Sequence, residues 1–284
     1  MSPVQTVGDV FNAIQQAKAG APAFCTNFFP VQTKLQGWID HGELLMERRD
    51  GAALFLRRDR DFYHLYFCAA SPAALWPKLF SVAGVDTERV VVDLVGPQPA
   101  LVELTAALEP AGLKCYTRLQ RMSRTAQSAL PQAGGEDTPV TVAERGDSQA
   151  ILALLEFSFD RYADQLPQRH EVEAAIEARQ MLVVKNERAV AALLFFETQG
   201  FTSTLRYWAV AERFRSRRFG GAVMRQYFAG QSAVRRFLLW VVAGNKNAVE
   251  KYQHYGYAPD GLLDQVLVNE RIASGIVPAR EITS

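Results

Sequence analysis

The sequence predicts an α/β protein of two tandem domains, each a mostly antiparallel mixed sheet flanked by helices, and three observations carry that prediction. Two runs of alternating apolar residues, "ELLMERRDGAALFLRRDRDFYHLYFCAAS" and "QMLVVKNERAVAALLFFETQGFTSTLRYWAVAE", have nearly equal length, and each reads as three strands joined by turns. Each run is followed by a helix pattern, a buried strand, a second helix ending near a glycine and a closing strand, so one supersecondary plan is used twice. Between the copies, "SRTAQSALPQAGGEDTP" is small, polar and aperiodic, which reads as a linker.

Taken in order, the first copy turns at "RDG" and "RDRD", starts a helix in "CAASPAALWPKL", buries the strand "RVVVDLVG", ends its second helix near Gly112 and closes on "KCYTRLQRM". The second copy turns at "KNER" and "ETQG", continues into the helix "GGAVMRQYFAGQ", buries "RRFLLWVV", ends its second helix near Gly256 and closes on "LLDQVLVNERI". Three antiparallel strands followed by strand, helix and strand imply a mixed sheet in each half. The expected bounds are 1–124 for the first domain, 125–138 for the linker and 139–284 for the second domain.

A chain of 284 residues with 49% hydrophobic content can fill two such cores. Its 31 Lys+Arg against 30 Asp+Glu leave a formal charge of +1, so no global field steers it to nucleic acid or to an anionic membrane, and neither partner is expected. Any anion must be bound locally. Cys25, Cys68 and Cys115 are odd in number and all in the first half, which suits free thiols in a reducing compartment. The start "MSPVQTVGDVFNAIQQ" has no basic, apolar leader, and no run of about 18 apolar residues occurs, so a soluble, cytoplasmic protein is expected.

The halves differ where chemistry would follow. "ERFRSRRFGGAVM" sits between a third strand and a helix, so its amides lie at a helix N-terminus, where unpaired donors and the macrodipole attract anions. Gly220 and Gly221 permit close approach, and Arg215, Arg217 and Arg218 add charges suited to phosphate oxygens. The matching stretch of the first half, "CAASPAALWPKL", has neither glycine nor arginine, and its two prolines remove donors. Further on, "AGNKNAVEKYQHYGYAPDG" spaces Asn245, Ala248 and Tyr252 along one helix face, with Gly256 and Tyr257 following. Read alone, these residues equally describe a capped helix, with Asn245 or Asn247 at its N-cap, Tyr252 in the core and Gly256 at its C-cap.

Together the two motifs resemble those of the GCN5-related N-acetyltransferase (GNAT) superfamily, a pyrophosphate loop "V-x-P-E-Y-R-G-K-G-I-G" and a later "N-x-x-A-x-x-L-Y-x-K-x-G-F". "VAERFRSRRFGG" aligns without a gap, with Val210 on the strand, Phe214 in the tyrosine place, Arg215 in the arginine place and Gly220 as the last glycine. Arg218 then stands where the family has its middle glycine. The resemblance covers roughly Thr138 to Ser284 and implies acyl transfer from acetyl-coenzyme A, or another acyl-coenzyme A, to an amine of a small-molecule or peptide acceptor. It implies that amides of Arg215, Ser216, Arg217, Arg218, Phe219, Gly220 and Gly221 hold the pyrophosphate. The main chain of Trp208, Ala209 and Val210 would pair with the pantetheine arm, Asn245 would contact it and Ala248 would let it pack close. Tyr252 would be the general acid toward the departing thiolate.

An amine nucleophile must also lose a proton, and Glu197 at the end of "VAALLFFE" is the first candidate base, with His170 and Asp160 behind it. The helices of "FSFDRYADQLPQRHEVEAAIEAR" would wall the acceptor and offer Asp160, Arg161, Tyr162, Asp164 and Gln165. The first half would be the same fold without its chemistry, since Leu108 replaces the tyrosine four residues before its glycine. Two other readings fit the same residues: an acyl-coenzyme A sensor with no need of Tyr252, and a structural protein whose loop holds no nucleotide.

Overall fold

The structure is a computed structural model and describes residues 1–49, 51–75, 80–81, 84–85, 87–128, 138–187 and 189–274. The alternating runs of the sequence form the expected strands. In the first half these are β1 (Ser2–Pro3), β2 (Cys25–Thr26), β3 (Leu44–Arg49), β4 (Ala52–Asp59), β5 (Phe62–Ala69), β6 (Val90–Gly96) and β7 (Leu113–Thr125). The second half holds β8 (Thr141–Val142), β9 (Met181–Asn186), β10 (Ala189–Gln199), β11 (Thr202–Val210), β12 (Arg236–Val242) and β13 (Ala258–Asn269). The main helices are α1 (Val7–Lys18), α2 (Gln32–Asp40), α3 (Gln98–Leu108), α4 (Ser148–Ser158), α5 (Arg169–Glu177), α6 (Phe219–Ala229) and α7 (Lys246–His254). α1 starts where Thr6 and Asp9 exchange side-chain-to-backbone bonds, a capping box that satisfies two otherwise orphaned donors.

The chain forms two units, Met1–Arg118 with Leu262–Ser284, and Leu119–Gly261. This differs from the division expected at 125–138, of which residues 129–137 lie outside the described residues. The closing strands account for the difference. β13 pairs antiparallel with β6 in the first unit, Leu263–Val268 against Gly96–Val91. β7 pairs antiparallel with β12 in the second, Leu119–Thr125 against Val242–Arg236. Period-two alternation marks a segment as a strand but carries no information about its partner.

The first unit orders its strands β1-β3-β4-β5-β6-β13, and the second β7-β12-β11-β10-β9-β8. Among the described residues the sheet of each unit is mostly antiparallel, with one parallel pair: β5 with β6, and β11 with β12. Both sheet faces are covered. In the first unit Leu54, Leu65, Phe67 and Val92 pack on one face, with α3 residues Leu101 and Leu108, while Phe55, Tyr66 and Cys68 pack on the other against α1 and α2. In the second, Leu194, Leu239 and Met224 build the α6–α7 side, and Leu193, Tyr207, Ile151 and Val172 build the α4–α5 side. Each such large apolar side chain contributes about 1.5–3 kcal/mol by leaving water.

The first unit also buries charge. His64 on β5 lies 3.3 Å from Asp59 and 3.6 Å from Asp93, and Asp59 pairs with Arg60 at 2.7 Å. Burial works against the His64 cation, but the bond to Asp59 and the charges of Asp93 and Asp59 outweigh it and raise its pKa. Burial likewise opposes the Asp59 anion, but His64, Arg60 and Arg57 outweigh it and lower its pKa. Asp264 on β13 is pushed far up by burial and then by the charge of Asp93, so the folded state favours its protonated form. A raised carboxyl pKa means that the folded state binds the proton more tightly, so stability falls as pH climbs from about 4 toward the folded value. The His64 contribution is complete below about 6.5 and is also lost as pH rises through its raised pKa. Asp264→Asn, which has no proton to lose, is expected to flatten the decline of the urea midpoint that begins above pH about 4; superimposable pH profiles of variant and parent would contradict this.

Among the described residues no helix is long and apolar enough to cross a membrane, and no cluster of three or more His, Cys, Asp or Glu could hold a metal ion. The three cysteines are free thiols, as expected.

Candidate functional site

β11 carries a bulge at Arg206: Phe195 faces Tyr207 and Phe196 faces Leu205, so Arg206 has no opposite residue on β10. On its other edge, β11 pairs with β12 only from Thr202 to Leu205, against Arg236 to Leu239. Past that point β12 continues beside β7 alone, and the two parallel strands part. Ala211 N–H donates to Ala191 O on β10 at 2.9 Å. By alternation Ala209 also points its backbone groups to β10, whereas Trp208 and Val210 point theirs into the opening. Of the three expected main-chain partners, two therefore face the gap and Ala209 is occupied in the sheet.

The start of α6 closes the mouth of this opening. A Cβ on Gly220 would sit 3.0 Å from Val210 Cγ2 and 3.3 Å from the Trp208 ring, and Trp208 Nε1–H donates to Gly220 O at 3.1 Å. Any side chain here would press on Val210 and Trp208, so glycine favours this close approach of the helix to β11. Gly221 N–H bonds back to Arg218 O at 3.0 Å, which leaves the amides of Phe219 and Gly220 as helix donors with no acceptor in the helix. No acidic residue stands in this first turn. Arg215, Ser216, Arg217 and Arg218 are exposed around it.

Arg218 has φ 58° and ψ 12°, a left-handed conformation, at the N-cap of α6. This is the position that the gapless alignment gives to the family's middle glycine, and the geometry explains that preference. A side chain here costs about 1–2 kcal/mol relative to glycine, more when β-branched. Arg218→Gly is expected to leave the urea midpoint equal or higher, and Arg218→Val to lower stability by about 1–2 kcal/mol; the opposite order would show that the turn does not need this conformation.

α7 holds the second motif. Asn245 caps it, its side-chain oxygen accepting Ala248 N–H at 3.0 Å, so the cap expected as one alternative is present. Gly256, at φ 79°, ends the helix, with its N–H on Gln253 O at 2.8 Å. Tyr252 is buried, its ring 5.7 Å from Trp208 and 6.1 Å from Tyr257. Ala248 packs half-buried on the same core, and His254 is exposed. No described group hydrogen-bonds to the Tyr252 hydroxyl. Burial pushes this phenol far up, and the charge of Asp164 pushes it further, so it stays protonated across the neutral range.

Asp164 comes from the other face of the sheet, in the loop between α4 and α5. Tyr207 on β11 ties that loop down, its one hydroxyl proton shared between Asp164 O at 2.8 Å and Gln165 O at 2.7 Å. Gln165 is held there at φ 47°. Asp160 and Asp164 build the turn between them: Asp160 accepts the N–H groups of Tyr162 and Ala163, and Asp164 accepts Asp160 N–H at 2.8 Å. Burial pushes the Asp164 carboxyl up to about 6, the Asp160 bond and the nearby Arg206 pulling against it. Arg206, at the bulge, is held charged against its own burial by Tyr207, Glu197 and Glu171. Thus Glu197, expected from the sequence, lies beside Arg206, opposite Thr204. The bulge at Arg206 and the position of Asp164 have no signature in the sequence.

The chain matches solved structures across almost its whole length. A tandem GNAT protein from the clavulanic acid biosynthesis pathway, solved without acetyl-coenzyme A, superposes with a TM-score of 0.59 at 13% identity, over 98% of this chain and 99% of that one. The chain has the tandem GNAT fold. A GCN5-related N-acetyltransferase from Kribbella flavida matches with a TM-score of 0.56 at 14% identity, over 84% of this chain and 93% of its own. Another from Sphaerobacter thermophilus gives 0.54 at 14% identity, over 94% of both chains. No family profile matches the sequence, and no curated protein matches it. In this GNAT fold the parted strands, the Gly220 turn and Tyr252 all belong to the second unit.

Proposed function

We propose that the second unit is an acyl-coenzyme A-dependent N-acyltransferase that acts by direct attack of an amine acceptor on the bound donor. The observation that supports this most strongly is the opening between β11 and β12, with two unpaired backbone edges along it and a glycine-limited helix start at its mouth. An extended arm bearing amides can pair with Trp208 and Val210 as an added strand. Its pyrophosphate then meets the amides of Phe219 and Gly220, with Arg215, Ser216, Arg217 and the turn at Arg218 around them. The fold neighbours named as acetyltransferases support acetyl-coenzyme A as the donor.

A carboxylate on the α4–α5 side acts electrostatically on a phenol on the α6–α7 side, which supports one site served by both. Tyr252 holds a proton at its Oη and gives it to the leaving thiolate. Asp164 takes the proton that the acceptor ammonium must lose, and Glu197 is the second carboxylate able to do so. A group that accepts a proton must be ionised, so activity through Asp164 falls as pH drops through about 6. A panel of primary amines with acetyl-coenzyme A, read by thiol release, tests the reading: at least one amine should be turned over. With that amine, Asp164→Asn should lower kcat by about 10²–10⁴ and abolish the acid limb near 6, whereas Glu197→Gln should keep that limb. Loss of the limb in Glu197→Gln alone would move the base to Glu197.

A further inference from the structure

In the first unit β5 and β6 part in the same way, after Tyr63–His64 have paired with Val90–Val91. Yet the exposed edge of β5 does not face an opening. The Asn27 carboxamide spans the gap: Nδ2 donates to Leu65 O on β5 and to Asp93 O on β6, both at 3.0 Å, and Oδ1 accepts Phe67 N–H at 2.7 Å. Beside it, Thr26 Oγ1 donates to Phe67 O at 2.7 Å and accepts Phe28 N–H at 2.9 Å, which folds the segment into place. β2 then carries the ladder on, Thr26 opposite Cys68 and Cys25 opposite Ala69, and Ala23 N–H reaches Ala70 O at 3.2 Å.

The two units thus share a split between parallel strands and differ in what meets its edge. Along β11, Trp208 and Val210 keep their backbone groups turned to the gap. Along β5, Leu65 and Phe67 have theirs taken by a side-chain amide and a hydroxyl of the same chain. A primary carboxamide offers the donor and acceptor of a peptide group, which is also what an amide-bearing pantetheine arm would offer. Burial pushes the Cys25 thiol up to about 11, with the charge of Glu103 adding to it, so the segment places no thiolate in the gap.

The geometry points to a first unit whose donor slot is filled by its own segment Cys25–Phe28, so that each chain takes up one acyl-coenzyme A, in the second unit. The stoichiometry rests on the acyl-coenzyme A reading of the second unit; the filled slot does not. Hydrogen exchange and native mass spectrometry with acetyl-coenzyme A separate the two. The Phe67 amide should exchange slowly in the parent and about tenfold faster in Asn27→Ala, the β4–β5 amides being unchanged. Should Asn27→Ala not fold, Thr26→Val removes the neighbouring bond to Phe67 O and should speed the same amide. The parent should bind one acetyl-coenzyme A and Gly220→Val none. Two bound molecules, one retained by Gly220→Val, or a Phe67 amide exchanging as fast as an exposed loop amide would overturn the proposal. A parent that binds none but protects Phe67 would count against the acyl-coenzyme A reading and in favour of the filled slot.

Discussion

Gly220→Val is expected to weaken acetyl-coenzyme A binding at least about 100-fold and to destabilise the fold by about 1–3 kcal/mol. The glycine sits where α6 crosses β11, and even a methyl group would lie 3.0 Å from Val210 Cγ2, so that Val210 or the helix would have to give by a few tenths of an ångström. Both ways of relieving that contact damage the site. If α6 moves out, the amides of Phe219 and Gly220 leave the mouth of the opening. If Trp208 moves, its Nε1–H loses Gly220 O, and the strand edge beside it shifts. Gly220→Ala, with one methyl, should lie between parent and valine variant in both titration calorimetry and urea unfolding. Equal affinity in all three proteins would mean that the helix start does not hold the donor.

Tyr252→Phe is expected to separate binding from turnover. General acid catalysis contributes about 10²–10⁴ in rate, so kcat should fall by that factor while the acetyl-coenzyme A affinity stays within about twofold. The structure makes this variant clean. The ring packs on Trp208 and Tyr257, contacts that phenylalanine retains, and no described group bonds to the hydroxyl that is lost. Stability should therefore change little. A fall in affinity together with turnover would instead give the hydroxyl a binding role, and full turnover would take Tyr252 out of the chemistry.

Much of this arrangement is written in local pattern. The strands and helices follow from alternation, turn residues and caps, and the strand-to-helix junction at Arg213–Gly221 marks an anion site before any strand is paired. Even the departure at Arg218 is informative, because the left-handed turn there is a property of position rather than residue. What the pattern does not contain is pairing. "LLDQVLVNERI" reads as a strand in either unit, and nothing local says that it lies beside β6. The bulge at Arg206, just past the end of the β11–β12 pairing, arises from a one-residue mismatch between β10 and β11, so neither strand shows it alone. The same holds for Asp164, one of two acids in its loop, which is singled out by Tyr207 bonding the backbone and by burial. Asn27 lies in a stretch with no regular pattern, and its role exists only once β5 and β6 have separated.

The central claim is that the opening beside β11 takes an acyl-coenzyme A. Calorimetric titration of the full chain with acetyl-coenzyme A tests it most directly: saturable binding at one site per chain, abolished by Gly220→Val, is the predicted result, and no heat of binding at millimolar cofactor would contradict it.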